Sequence, residues 1–426
     1  MHNNNRKERK LLRLSYLFIL VCFFNLAIIQ NKLDKGAIII AFVLIVLLGF
    51  SHFIVKKFFP KGDKYLLIFA NLLAVIGIVM IYRMYKDIAI KQIIWVILGI
   101  SVFMFVVVLL PDLSRFAKYK YVYLVLTIIL MSLGTFFAKE TYGSKNWIQI
   151  GGTSFQPSEF AKLTLVAYLA AALHDYQDKI KSYVEAGKDR RRRGSNNRTL
   201  KKSIQILIEP AIVVMISLGF MVLQKDLGSA LLFFAISITM LYIGTSKGKY
   251  VFWCIGLFLV GATISYFLFD HVQVRVQIWL DPWKYASGKG YQLVQSLIAI
   301  SSGGFFGTGL GLGQPKIIPV VTSDFIFSAI CEEMGIAMGI GTMLIYFLLF
   351  YRSMRAAIKT EDDFSKLLAV GYSTMMAAQV LVIIGGVIGA IPLTGITLPF
   401  ISAGGSSMLI TFFALGIIQK ISEEGN

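Results

Sequence analysis

The chain has 426 residues, of which 57% are hydrophobic and 15% charged, against roughly 25% charged in soluble domains, so a water-soluble globular enzyme is excluded before any motif is read. The net charge of +19 does not indicate a nucleic-acid partner, because the Lys and Arg residues lie in runs between apolar segments and not on one basic domain. About 243 hydrophobic residues would furnish about twelve spans at the roughly 20 residues needed to cross about 30 Å of hydrocarbon.

Unbroken apolar segments predict spans at about 11–30, 36–55, 65–82, 93–110, 121–137, 159–175, 206–223, 229–245, 250–269, 324–350, 367–389 and 404–419. These runs are too long and too continuously apolar for the alternating strands of a barrel, so the predicted fold class is an all-α polytopic membrane bundle. The first run follows Arg6, Lys7, Arg9 and Lys10, is nearly twenty residues long and lacks a small-residue cleavage site; it is read as a retained helix and not a removed signal peptide. With the N-terminus in the cytoplasm, the tail, the loops 56–64, 111–120, 176–203, 246–250 and 351–366, and the C-terminus carry 28 of the 42 Lys and Arg residues. That assignment, with both termini inside, satisfies the positive-inside rule and the reverse does not. The basic loop 176–203, with Arg190 to Arg193 in one run, reads as a topology anchor touching anionic headgroups or as a partner site. Cys22, Cys254 and Cys331 fall in apolar runs and His2, His52, His174 and His271 are scattered, which gives neither a disulfide framework nor metal-ligand spacing.

Charges within or at the mouth of spans cost about 2.5–3.5 kcal/mol each, so each marks a candidate site. Along the chain the first is Glu159 with Lys162. Pro157, Ser158 and Glu159 suit a helix start, but Lys162 one turn deeper shares a face with Glu159 and calls for a polar cavity. Glu209 beside Pro210 fits a kink with a snorkelling carboxylate, and Gln224 to Ser229 fits a tight turn between spans. The densest stretch is 270–323, predicted to be an ordered outer loop. It holds Arg275, the run Trp279 to Trp283, Lys284, Lys289, a glycine series from Gly303 to Gly313, and Lys316. The glycines resemble a phosphate-binding loop, but no Gly-Lys-Ser/Thr ending is present. Basic residues at headgroup level suit an anionic group such as a lipid pyrophosphate. Asp324 opens the tenth span either as a helix cap or as an ionised general base at a membrane-level cleft. Glu332 and Glu333 lie deeper on the same helix and need a cation or polar partner in the bundle interior.

Five ordered blocks then carry a resemblance: Lys145-Asn146-Trp147-Ile148 through Phe155-Gln156-Pro157-Ser158-Glu159; Gln224 to Gly228; Gly290-Tyr291-Gln292 through Ser302-Gly303-Gly304; Ser323-Asp324-Phe325-Ile326-Phe327 with Glu332-Glu333; and Ile391 to Gly395 with Leu398 to Ser406. Together they are similar to the SEDS family (shape, elongation, division and sporulation), the RodA and FtsW type of peptidoglycan glycosyltransferase. The resemblance implies a ten-helix core over 65–426, preceded by an N-terminal addition, 1–64, with two further spans. It implies polymerisation of lipid II at the outer face of the bacterial cytoplasmic membrane, with a class B penicillin-binding protein as partner. It sets Asp324 on the family's essential aspartate and Trp147, Glu159, Lys162 and Arg275 on other motif positions. Asn146 stands where many members have Arg, and Ile383 where many have Asn.

On that reading Asp324 takes the proton of the acceptor hydroxyl, and Arg275, Lys289 and Lys162 offset charge on the leaving pyrophosphate; Glu332 is a further substrate-binding candidate. A divalent cation, Mg or Mn, could share that role, although no ligand set is readable. Two rivals remain at this point: a lipid-linked precursor flippase, with intramembrane charges suited to alternating access, and a non-catalytic scaffold for a transpeptidase.

Overall fold

A span has no water to pair its amides, so apolar sequence longer than the bilayer resolves into helix. The computed structural model describes residues 2–29, 33–141, 144–150, 153–188 and 195–425. In chain order these form α1 (His2–Ile28), α2 (Lys35–Phe58), α3 (Tyr65–Met84), α4 (Lys86–Leu109), α5 (Lys120–Phe137), three short strands β1 (Lys139–Thr141), β2 (Ser144–Ile150) and β3 (Thr153–Phe155), then α6 (Pro157–Lys188), α7 (Ser195–Leu223), α8 (Leu227–Thr245), α9 (Gly248–Leu268), α10 (Asp270–Leu280), α11 (Tyr291–Gly303), α12 (Ile326–Lys359), α13 (Asp363–Val387) and α14 (Gly405–Glu424). The all-α, multi-pass architecture is as expected.

Eleven helices are long and apolar enough to cross a membrane among the described residues. The twelfth expected span, 159–175, lies within α6, whose Glu159, Lys162 and Asp175 dilute its hydropathy. That is tolerable because Ala161, Leu165, Val166, Tyr168, Ala170 and Ala171 are wholly buried: a helix walled by other helices is not obliged to be apolar everywhere. Apolarity alone does not separate core from lipid face. Nearly all of α3 is buried, whereas no residue of the equally apolar α9 is.

Three local expectations change. The segment 176–203 is not a loop throughout: α6 runs on to Lys188 and α7 starts at Ser195, because charged and polar residues continue a helix readily once it leaves the membrane. Arg190 to Arg193 lie outside the described residues. The connector 138–158 carries an antiparallel ladder in the order β1-β2-β3, with Lys139 opposite Trp147 and Ile148 opposite Phe155. The tenth span is broken, since Gly335 inside α12 has φ 81° and ψ 166°.

The chain forms two compact units. One comprises Met1–Leu109, Val272–Ala356 and Gln379–Asn426; the other comprises Leu110–His271 and Ala357–Ala378. In the first, α4 packs along α14, at a separation set by glycine: a Cβ on Gly99 would stand 2.5 Å from the Phe412 ring. In the second, α6 is central, touching α5, α7 and α8.

Candidate active site

The first unit contains two stretches of irregular backbone between helices, 304–325 and 388–404. Non-helical backbone survives at membrane depth only if the protein pairs its polar groups, and each stretch does this by its own means.

The stretch 304–325 is paired to the break in α12. There the amides of Thr308 and Gly309 donate to the carbonyls of Glu332 and Glu333, at 2.9 and 3.0 Å, and the amides of Ile336 and Ala337 donate back to Gly304 and Phe305. This exchange explains two members of the glycine series, Gly303 and Gly307. A Cβ on Gly303 would lie 2.0 Å from the Cys331 carbonyl oxygen, and one on Gly307 (φ 86°) 2.3 Å from that of Glu333. Gly303 and Gly307 admit close backbone approach to α12, and the resemblance to a phosphate loop is set aside. Side chains complete the clamp. Glu332 Oε1 accepts the Gln314 amide at 2.8 Å, and Glu333 Oε2 that of Gly311 at 3.1 Å. Arg83, from the last turn of α3, ion-pairs with Glu333 at 2.9 Å and donates to the carbonyls of Gly311 and Gly313 at 3.0 and 2.8 Å. Thus Glu333 has a cationic partner, Arg83, and Glu332 a polar one, the Gln314 amide, in line with the expectation of a cation or polar partner in the interior. Glu332 itself is buried and tied to the loop.

The stretch 388–404 is held mostly by uncharged groups. Gln379 donates to the Thr397 carbonyl, Gln92 to that of Ser402, and Tyr346 to that of Pro399. From α10, Trp279 Nε1 donates to Gly389 at 2.9 Å. One turn earlier on the same helix, Arg275 Nη1 donates to both Leu393 and Thr394 carbonyls at 3.2 Å. Gly77 makes room for this segment, since a Cβ there would lie 2.2 Å from the Ile401 carbonyl oxygen.

The two stretches meet at Asp324. The Ala403 amide donates to Thr322 at 2.8 Å and the Ser402 hydroxyl to the Ser323 carbonyl. The backbone turns into Asp324 through Val320, whose φ of 56° is a sterically costly value for a β-branched residue; the Ser323 and Asp324 amides both close on the Val320 carbonyl. Helix α12 starts only at Ile326, so Asp324 stands outside the capping position. Its carboxylate is half-buried and lies against Gly395, where an added Cβ would be 3.4 Å from Oδ2. The result is a carboxylate and a guanidinium converging on one three-residue strip, Leu393 to Gly395. Lys289 is exposed in the turn before α11.

The other candidates belong to the second unit. Lys162 Nζ is 2.7 Å from Glu159 Oε1, and both are buried. Trp147 is half-buried on β2, next to Asn146, whose side-chain amide donates to Asp226 at 2.9 Å. Asp226 also caps α8 through the Ser229 amide and hydroxyl, so the 224–228 turn holds β2 as well as linking two helices; Lys145 N donates to Gln224 O at 2.9 Å. Sequence reasoning overlooked Arg83, although a lone Arg ending an apolar span was a candidate for the cation that pairs with Glu333. Among the described residues no three His, Cys, Asp or Glu side chains converge, so those residues form no dedicated metal cage.

The FtsW/RodA/SpoVE cell cycle protein family matches residues 63–426. A peptidoglycan glycosyltransferase RodA of Mycobacterium tuberculosis is 35% identical over 434 residues, covering 98% of this chain and 90% of that protein. The stage V sporulation protein E of Bacillus subtilis is 35% identical over 285 residues, covering 66% of this chain. Among solved structures, a chain of a peptidoglycan synthase complex described as coordinating polymerization and crosslinking superposes with a TM-score of 0.69 at 24% identity, over 85% of this chain and 98% of that one. The Thermus thermophilus rod shape determining protein RodA gives 0.59 at 23% identity, over 85% and 96%. These two share the fold.

Proposed function

The chain belongs to the FtsW/RodA/SpoVE family of cell cycle proteins and is a peptidoglycan glycosyltransferase; from that premise we propose that it polymerises lipid II into β-1,4-linked glycan at the outer face of the cytoplasmic membrane, with Asp324 as general base. The observation that carries the assignment is the convergence of Asp324 and Arg275 on Leu393 to Gly395. In the proposed step the acceptor GlcNAc 4-hydroxyl loses its proton to Asp324 while its oxygen bonds to C1 of the donor MurNAc. The bond from C1 to the pyrophosphate oxygen breaks, undecaprenyl pyrophosphate leaves, and the α-linked donor inverts to a β bond. Base assistance of this kind typically contributes about 10²- to 10⁴-fold.

The remaining residues take distinct parts. Arg275 fixes the strip against which Asp324 rests, and its positive charge, with that of exposed Lys289, favours the departing pyrophosphate. Trp147, Glu159 and Lys162 are proposed sugar or phosphate contacts, the last two acting as a pair. Glu332 contributes to substrate binding through the loop it holds. A divalent cation would supply further charge neutralisation on the pyrophosphate. Both termini are proposed to be cytoplasmic, supported by the bias of Lys and Arg to one side, and a class B penicillin-binding transpeptidase is the proposed partner.

The test is purified protein with labelled lipid II in detergent and, separately, in vesicles. Glycan chains support the reading. Headgroup translocation without polymer would replace it with a flippase, and neither activity would leave a scaffold.

A further inference from the structure

The helices α1 and α2 lie outside the region matched by the family, residues 63–426, and the end of α1 reaches the loop that carries Asp324. The hairpin closes where the Asp34 amide donates to the Ala27 carbonyl at 3.0 Å. Asp34 then caps α2 through the Gly36 amide at 3.0 Å and turns its other oxygen to α3 and α4. That oxygen accepts from the Tyr82 hydroxyl at 2.8 Å and pairs with Lys86 at 2.6 Å. Tyr82 is buried, and its ring packs on Phe23 of α1 with centroids 5.7 Å apart. Gly36 is needed for the approach, since a Cβ there would lie 2.9 Å from the Tyr82 hydroxyl.

Arg83 and Tyr85 face the other way. Arg83 holds the Gly311 and Gly313 carbonyls and Glu333, and Tyr85 stacks under the Lys316 ammonium at 5.0 Å. From the hairpin itself, Ile29 Cδ1 would be 2.5 Å from a Cβ on Gly311, so the end of α1 sits directly on the same loop. One short stretch, 82–85, is therefore gripped by the hairpin on one side and grips the 311–316 loop on the other. A side chain is aimed only as well as its own backbone and neighbours are fixed, and displacement of a supporting group by about 1 Å can cost about 10²-fold in rate.

We infer that the N-terminal hairpin is a positioning brace for the Asp324 loop, with Asp34 and Ile29 as its two contacts: Asp34 fixes Tyr82 and with it the aim of Arg83, and Ile29 bears on Gly311. The inference rests on the reading of Asp324 as catalytic, and its test separates the two. In full-length protein with Cys254→Ser, leaving buried Cys22 and Cys331, a spin label is attached at Leu312→Cys, an exposed loop position. Asp34→Ala and, as the milder change, Tyr82→Phe are then compared for label mobility, thermal midpoint, and kcat and KM on lipid II.

The expected result is a more mobile label in both variants, with kcat lowered about tenfold for Asp34→Ala and severalfold for Tyr82→Phe. KM should stay within about twofold, and the midpoint of Tyr82→Phe within a few degrees. An unchanged label spectrum in both variants overturns the inference, and so does a loosened label with unaltered kcat. Should Asp324→Asn itself polymerise normally, the failure lies in the catalytic reading, and the label alone decides whether the hairpin braces the loop.

Discussion

The two irregular stretches that meet at Asp324 are built on opposite principles. The stretch 304–325 hangs on charge: Glu332 and Glu333 hold its amides, and Arg83 holds both Glu333 and two of its carbonyls. The stretch 388–404 hangs mainly on neutral donors, Gln379, Gln92, Tyr346 and Trp279, with Arg275 the exception. A buried ion pair that loses one partner strands a charge and costs about 3–5 kcal/mol, whereas a typical neutral hydrogen bond nets about 0.5–1.5 kcal/mol. The loop bearing the carboxylate should therefore fail as a unit, and the opposite wall should weaken by steps.

The sharpest way to break that contrast is Arg83→Met. It leaves Glu333 buried without its cation and should destabilise the first unit by about 3–5 kcal/mol, read as a lower thermal midpoint and loss of polymerisation. Adding Glu333→Gln should recover part of the stability, because the stranded charge is then gone; a double variant no better than the single would mean the pair is not what secures the loop. Next in size, Arg275→Gln removes a charged donor from two carbonyls at once, a loss of about 1.5–3 kcal/mol. It should lower glycan synthesis more than it lowers the midpoint, since the strip that faces Asp324 is what it holds. The smallest effect is expected from Gln379→Leu, which takes the donor from the Thr397 carbonyl at about 1–3 kcal/mol while Ser407 still meets the Thr397 hydroxyl at 2.8 Å. A collapse of folding in that variant would erase the distinction between the two walls.

Most of the helices were legible because a span must be apolar for its whole length. The weaker signal of α6 has the same cause in reverse, as its charges are paired inside the protein, Lys162 on Glu159. The strands β1 to β3 went unread because they are short, yet Ile148-Gln149-Ile150 alternates and Gly151-Gly152 follows it. Asp324, Arg275, Glu332 and Glu333 stood out as charges in an apolar chain. Their partners did not, since Arg275 meets Leu393 across 118 positions and its acceptors are backbone carbonyls that carry no residue signature. The break at Gly335 was hidden for a similar reason: one glycine in a helical pattern is compatible with an unbroken helix until the loop that needs its conformation is in place.

The Asp324 carboxylate, lying against Gly395, is the group proposed to accept the proton of the attacking hydroxyl. Asp324→Asn preserves the shape and removes the base, so the rate of glycan synthesis from labelled lipid II by the purified variant is the direct measurement. If Asp324 is the base, the variant folds correctly, with an unshifted midpoint, and its rate falls by about 100-fold or more; polymerisation within a few-fold of the unaltered protein would show that it is not.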